Sequence, residues 1–396
     1  VKEIFASFFA RHFSRQIKEL YSATVILSLA VASVNIFEPI FLFSLFVEQY
    51  GTHTSLKAVL LFYLLVYVIY FFIMPLGAKV ALRFGYEYAI GFASLVTVGF
   101  YLSLFVAQDQ PWFLAISVLM YAISKTLYWP AYHSNFARFS ADGEQGRQIS
   151  IMTALLSMTQ IVGPLLGGLI ISWYGFSALF IVVSILVIVS NIPMLITREQ
   201  FIATKFSYID AYRRLFSREN RRKFVAYLGY GEELISDIIW PIFIFIVVKD
   251  FLGLGFLVAI SVLVTTLIVM YIGRATDTTE HGTLKYGLVI YTLAWLWRLI
   301  ARSAPTVLLV DVMARISKQA ISIPITALTY EYAQDTSVMK TIMLFEMSLV
   351  FGKILAAITC LLVLSIFNPG WNMLFIVGAL FAMLYSLFSP KLFGKS

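Results

Sequence analysis

Asn35-Ile36-Phe37-Glu38-Pro39-Ile40-Phe41-Leu42-Phe43, running on through Val47-Glu48 to Gly51, returns as Asp237-Ile238-Ile239-Trp240-Pro241-Ile242-Phe243-Ile244-Phe245, through Lys249-Asp250 to Gly253. In both copies Pro-Ile-Phe leads into an apolar run, an acidic residue follows, and Gly stands twelve positions after the Pro. A polar residue, Asn35 or Asp237, precedes each Pro by four positions. Both copies lie inside long apolar segments, which places each polar residue near the middle of a membrane. The chain reads as two copies of one membrane-embedded unit, the kind of internal repeat on which many transporter folds are built.

Composition supports that reading. Of 396 residues, 60% are hydrophobic and only 13% charged, which leaves long segments no polar face for water. About 20 apolar residues span a bilayer core of roughly 30 Å, and the chain is almost wholly made of such stretches. No separate soluble domain is expected. The single cysteine, Cys360, lies in an apolar run and excludes an internal disulfide or a cysteine metal cluster. The net charge of +8 is a topology signal, because the basic residues sit in short turns between apolar spans. Nucleic-acid binding is therefore not expected.

Taken in order, residues 1–20 form an amphipathic segment suited to a membrane surface rather than a cleavable signal peptide: Ile4, Phe5, Phe8, Phe9, Phe13 and Ile17 recur at helical spacing among Lys2, Arg11, Arg15 and Lys18. Twelve spans are predicted near 21–48, 55–78, 88–108, 111–134, 149–173, 176–197, 223–249, 253–273, 283–301, 305–330, 340–366 and 371–390. Basic loops lie on one side, and the positive-inside rule puts both termini in the cytoplasm of a cell inner or plasma membrane. A basic linker over 198–222 divides a first six-helix bundle, 21–197, from a second, 223–396. Within the linker Tyr208, Tyr212, Leu215 and Phe216 form a plausible apolar face.

Two further matches support the duplication. Ile123-Ser124-Lys125 with Pro130 pairs with Ile316-Ser317-Lys318 with Pro324, and the segment from Met158 to Gly168 pairs with Met347 to Ala357. Each pair lies six spans apart. Six is even, so the copies share one orientation: a parallel 6+6 repeat. On these residues the chain resembles the major facilitator superfamily over its whole length. Gly163-Pro164-Leu165-Leu166-Gly167-Gly168 resembles that family's antiporter motif, and Leu82-Arg83-Phe84-Gly85 resembles its Asp-Arg-x-Gly turn with Leu82 in place of the acid. Gly273-Arg274-Ala275-Thr276-Asp277 begins the same turn in the second half. The resemblance implies an all-α polytopic membrane protein of twelve transmembrane helices in two six-helix pseudo-symmetric halves. It also implies a central cavity lined by spans one, four, seven and ten, a monomer, and gating through Gly163, Pro164, Gly167, Gly168, Arg83, Gly85 and Asp277.

Ionisable groups at membrane depth are costly, so each needs a reason. Glu38, Asp237 and Glu233 are candidates for proton coupling. Asn35, Lys125, Tyr128, Gln160, Trp240, Arg315 and Lys318 are candidates for substrate contact. Lys125 and Lys318 occupy equivalent places in the two repeats, where two cations would suit an anionic group. Each equally well pairs with a local acid, Lys125 with Glu38 or Lys318 with Asp237. Asp311 and Arg315, four apart, are placed to pair with each other. Glu232 and Glu233 fall in the cytoplasmic third, within reach of water or loop arginines. Glu346 and Lys353 share a helical face, and His133 reads as a satisfied structural histidine. Trp112, Trp173 and Trp371 are interface anchors.

Enzyme signatures are absent. Gly229-Tyr230-Gly231 lacks the next glycine of a dinucleotide loop, Gly394-Lys395-Ser396 lacks the rest of a phosphate loop, and no His/Glu pair has zinc spacing. No cofactor is expected. The expected activity is proton-coupled transport of a small polar or organic-anion solute by alternating access, leaning to export, with protons and membrane lipids as the other partners. A lipid or lysolipid translocase on the same fold and a non-transporting scaffold or sensor stay open.

Overall fold

A computed structural model describes residues 15–139, 146–192, 206–275, 280–368, 370–389 and 392. Among them there is no strand. The helices are α1 (Arg15–Val34), α2 (Glu38–Phe84), α3 (Tyr86–Ala107), α4 (Phe113–Phe139), α5 (Gly146–Asn191), α6 (Tyr208–Leu215), α7 (Arg221–Tyr227), α8 (Trp240–Val248), α9 (Phe251–Ala275), α10 (Glu280–Trp297), α11 (Ala304–Asp335), α12 (Val338–Ile366) and α13 (Trp371–Met383). Residues 1–14, most of the expected surface segment, and 198–205 of the linker lie outside the described residues, as does Asp277.

Helical segments occupy all twelve predicted span positions. Six stretches among the described residues are long and apolar enough to cross a membrane by themselves. Two helices are too long for one crossing: α2 has 47 residues and α5 has 46, each about 70 Å at 1.5 Å per residue. Each folds back at one glycine, Gly51 (φ 71°) or Gly175 (φ 79°). A Cβ at either glycine would meet nothing within 4 Å, so the left-handed φ, not space, is what requires glycine there. The hairpins between spans one and two and between five and six are thus one residue deep. In the second repeat the positive φ falls on Lys249 (φ 62°), and Gly253 is already inside α9, where its amide bonds the Asp250 carboxylate at 2.5 Å.

Packing is helix on helix throughout. α1 lies on α5, α3 on α4, α10 on α11. Across the linker, α5 packs on α9 and α2 on α12. The outward faces are apolar: Leu61, Leu65, Phe92, Leu95, Ile185 and Ile188 are all exposed. A belt of that kind is stable in hydrocarbon and not in water. Trp112 and Trp173 are exposed as interface residues should be, whereas Trp371 packs edge-on against Phe243 at 5.3 Å. Cys360 is buried in this packing.

The described part of the linker docks beside a proline inside α2. Pro75 inside α2 has no N–H, which leaves the Phe71 carbonyl four residues back without its helical partner. Tyr212 donates to that carbonyl at 3.0 Å, and to Phe72 at 3.0 Å; Tyr208 donates to Phe72 at 2.8 Å. Burial and the neighbouring Tyr208 hydroxyl push the Tyr212 phenol above its usual range, so it remains a donor. Leu215 is buried beneath this helix, but Phe216 is exposed and does not share the expected face, because α6 ends one residue before it.

Candidate functional site

Both copies of the opening stretch break their helices just ahead of the proline. α1 stops at Val34, residues 35–37 form a turn, and α2 restarts with Pro39 in its first turn. In the second copy a wide π turn, Ile235–Ile239, precedes Trp240 and Pro241. A proline strips the hydrogen bond from the carbonyl four residues before it, and those residues are Asn35 and Asp237. The polar residues therefore stand where the backbone is loosened and side chains can turn inward.

They turn into a cavity of about 620 Å³ enclosed by both repeats. In the first repeat, the Tyr63 hydroxyl donates to Glu38 Oε1 at 2.8 Å. Lys125 holds its ammonium 4.2 Å from the Tyr121 ring centroid and 5.8 Å from that of Tyr67. Among the described residues no carboxylate lies within 4 Å of it, so the expected alternative of a Lys125–Glu38 ion pair is not formed. Tyr121, Lys125, Trp129 and His133 follow at four-residue intervals and make one wall stripe along α4. Tyr128 is off that stripe. It stacks on Tyr132 at 5.4 Å and does not line the cavity, so the expected aromatic contact passes to Trp129.

The second repeat is more heavily charged. Glu232 is wholly buried, bonded by Lys318, by the Tyr291 hydroxyl at 2.5 Å and by the Tyr385 hydroxyl at 3.2 Å. Glu233 lies 3.2 Å from Lys318 and 2.8 Å from Lys353. The two glutamates thus meet lysines inside the bundle, not loop arginines, because α11 and α12 carry cations to their level; Glu233 also faces the cavity. Lys318 pairs with them and not with Asp237. Asp311 accepts from Trp240 Nε1 at 2.9 Å, Ser261 at 2.5 Å and Arg315 Nε at 2.7 Å, which forms the expected Asp311–Arg315 pair and adds two donors that sequence spacing does not reveal. Asp237 opens on the cavity with no hydrogen bond and no cation within 4 Å among the described residues.

Asn35, Glu38, Lys125, Gln160, Pro164, Glu233, Asp237, Trp240, Arg315 and Lys318 all line this space. The remaining members of the glycine motif do not: Gly163 backs onto Ala32, Gly167 onto Ser33, and Gly168 onto Phe251. Arg83 is exposed beside the Phe84 ring, and Gly85 joins α2 to α3 at φ 113°. His133 is satisfied at both ring nitrogens, as expected of a structural histidine, but by partners from the other half. It lies 3.0 Å from Glu346 and 2.5 Å from the Tyr330 hydroxyl, both beyond the linker, and Tyr70 donates to the same glutamate at 3.1 Å. Glu346 and Lys353 part company, the first toward His133 and the second toward Glu233. Sequence reasoning missed Arg298, although an arginine inside the apolar span 283–301 is a legible signal. Tyr63, Tyr291 and Tyr385 carry none, being three tyrosines among 22.

A model of the Major Facilitator Superfamily matches residues 20–247, more than half of the chain. The chain belongs to the major facilitator superfamily. Two solved structures extend that fold over its full length. The POT family transporter PepTSo, crystallised in meso, superposes with a TM-score of 0.68 at 14% identity, covering 97% of this chain and 99% of its own. An auto-inhibited POT family peptide transporter superposes at 0.73 and 12% identity, covering 94% and 96%. No curated protein matches. As a member of the superfamily the protein is an integral membrane transporter for a small-molecule substrate.

Proposed function

We propose that the protein couples movement of a small polar or anionic organic solute to protons, by alternating access and in the direction of export. The observation that carries this reading is the pair of carboxylates at the two helix breaks. Asp237 faces the cavity without a partner, and Glu38 is held by a neutral tyrosine donor with no cation within 4 Å among the described residues. A carboxylate left without a cation in a low-dielectric wall gains most from taking up a proton. One that faces the cavity can exchange that proton with whichever side is open. Glu232, Glu233 and Asp311 are held by cations and serve better as fixed scaffolding. Lys125, free of any carboxylate, supports an anionic group on the solute, and the antiporter-like Gly163–Gly168 segment supports export. Sodium is disfavoured because it needs several converging oxygens, and Asp237 has no second carboxylate directed at it.

The test is solute-driven proton movement in liposomes containing the purified protein, with organic anions, amino acids, short peptides, sugars and cationic drugs as the panel. Asp237→Asn should abolish the proton signal while solute still exchanges down its own gradient, and Glu38→Gln should weaken both. Unchanged proton flux in both variants would remove proton coupling at these sites. If no solute moves but fluorescent lysolipid crosses, the translocase reading takes over.

A further inference from the structure

Arg298 lies one residue beyond α10 and is 1% exposed. Its guanidinium carbon is 3.7 Å from the Trp295 ring centroid and 4.5 Å from that of Trp240. Nε and Nη1 are buried and meet no acceptor. Aromatic stacking engages the faces of the planar cation, whereas the N–H groups point outward in its plane, and those of Nε and Nη1 find no acceptor there. Burying a charge without hydrogen-bond partners costs more than such stacking returns.

The carboxylates that attract Arg298 most strongly through space, Asp311 and Glu232, cannot relieve it. Asp311 already accepts from Trp240, Ser261 and Arg315, and Glu232 from Tyr291, Tyr385 and Lys318. No carboxylate comes within 4 Å of Arg298 among the described residues. Yet the residue lines the transport cavity. Trp240 fixes its place: the indole N–H is tied to Asp311 while the ring lies against the guanidinium, so the fork is preset before any ligand arrives.

We infer that Arg298 is the anchor for the solute's anionic group, and that this group is a single carboxylate. The inference rests on the transport reading and deepens it. A carboxylate presents two oxygens at the spacing of adjacent guanidinium N–H bonds. A doubly charged phosphate is disfavoured by the wall itself, which carries six carboxylates against five lysines and arginines. Arg315 and Lys318, the cations of the second repeat that the sequence points to, are neutralised within the protein. Within the second repeat the anion site therefore moves from span ten to the end of span nine, in the same cavity as Lys125 of the first.

The experiment compares binding of matched acids and primary amides to the purified full-length protein by scanning calorimetry or intrinsic fluorescence: hexanoate with hexanamide, phenylacetate with phenylacetamide, N-acetylleucine with N-acetylleucinamide. Wild type should prefer at least one acid over its amide by about tenfold, the scale of one well-made charge-assisted contact. Arg298→Gln should erase that preference while amide binding persists, and Arg298→Lys, which keeps the charge but not the fork, should retain part of it. No acid preference in wild type overturns the assignment, as does a preference that survives in Arg298→Gln. If Arg298→Gln does not fold, Arg298→Lys decides by the same ratio. A lost preference in a variant that still moves protons with amide solutes leaves proton coupling standing; an intact preference in a protein that moves nothing sinks transport and keeps the site.

Discussion

The two ends of the cavity are closed by different chemistry. At the end away from the linker, α5 meets α9 through atoms of the main chain. A Cβ on Gly255 would lie 2.3 Å from the Pro164 carbonyl, and one on Gly168 would lie 2.5 Å from that of Phe251. His53 joins this seam by bonding the Leu364 carbonyl at 2.5 Å. At the linker end, α4, α11, α12 and α2 meet through side chains, with His133, Glu346, Tyr330 and Tyr70 sharing one network and Gln334 reaching the Ala137 carbonyl at 2.6 Å. The first seam depends on what is missing from its residues, and it tolerates no addition. The second depends on groups that can be exchanged one at a time, so it can loosen in steps. The rocking motion proposed above would use the first end as a fulcrum and the second as a latch.

Overfilling the first seam should have the largest effect. Gly255→Leu puts side-chain atoms where the Pro164 carbonyl now is, at a cost of about 1–3 kcal/mol, which lowers the closed population by roughly five- to 150-fold. A Ser236→Cys reporter in the cavity wall, labelled with an impermeant maleimide from each side, should then react from the far side. Unchanged labelling would mean that the glycine contact does not control closure. Glu346→Gln should act less: it removes the charge facing His133 but leaves an oxygen for Tyr70, a loss of about 1–1.5 kcal/mol. The same reporter should open several-fold toward the linker side only. Equal opening at both ends would erase the distinction between fulcrum and latch. Tyr212→Phe should be smallest, since Tyr208 still serves Phe72 and only the Phe71 carbonyl is left without its donor. A fall in melting temperature of about 1–3 °C with transport retained is expected; loss of transport would make the linker part of the latch.

Much of the fold was legible because its cause is local. Apolar runs long enough to cross a bilayer dictate spans, and proline frees the carbonyl four residues behind itself whatever packs nearby. Even the hairpins could be placed: the break between spans seven and eight was expected after residue 249, and the positive φ falls on Lys249. Side-chain partners were a different matter. Asp311 and Arg315 sit one helical turn apart on a single helix, so their pairing could be read from spacing; Lys318 and Glu232 sit on different helices, and no spacing relates them.

By itself, then, the sequence determined that this is a repeated bundle of membrane helices with charged groups at two proline breaks, since hydropathy, proline geometry and periodicity act within a few residues. Only the tertiary structure decided which of those charges are spent on one another. It left Asp237, Lys125 and Arg298 without an ion-pair partner among the described residues, placed Tyr128 off the wall and joined His133 to Glu346, because such pairings depend on how helices distant in sequence are rotated against each other. A rotation of one residue, about 100° on a helix, is enough to turn a cavity group into a packing group.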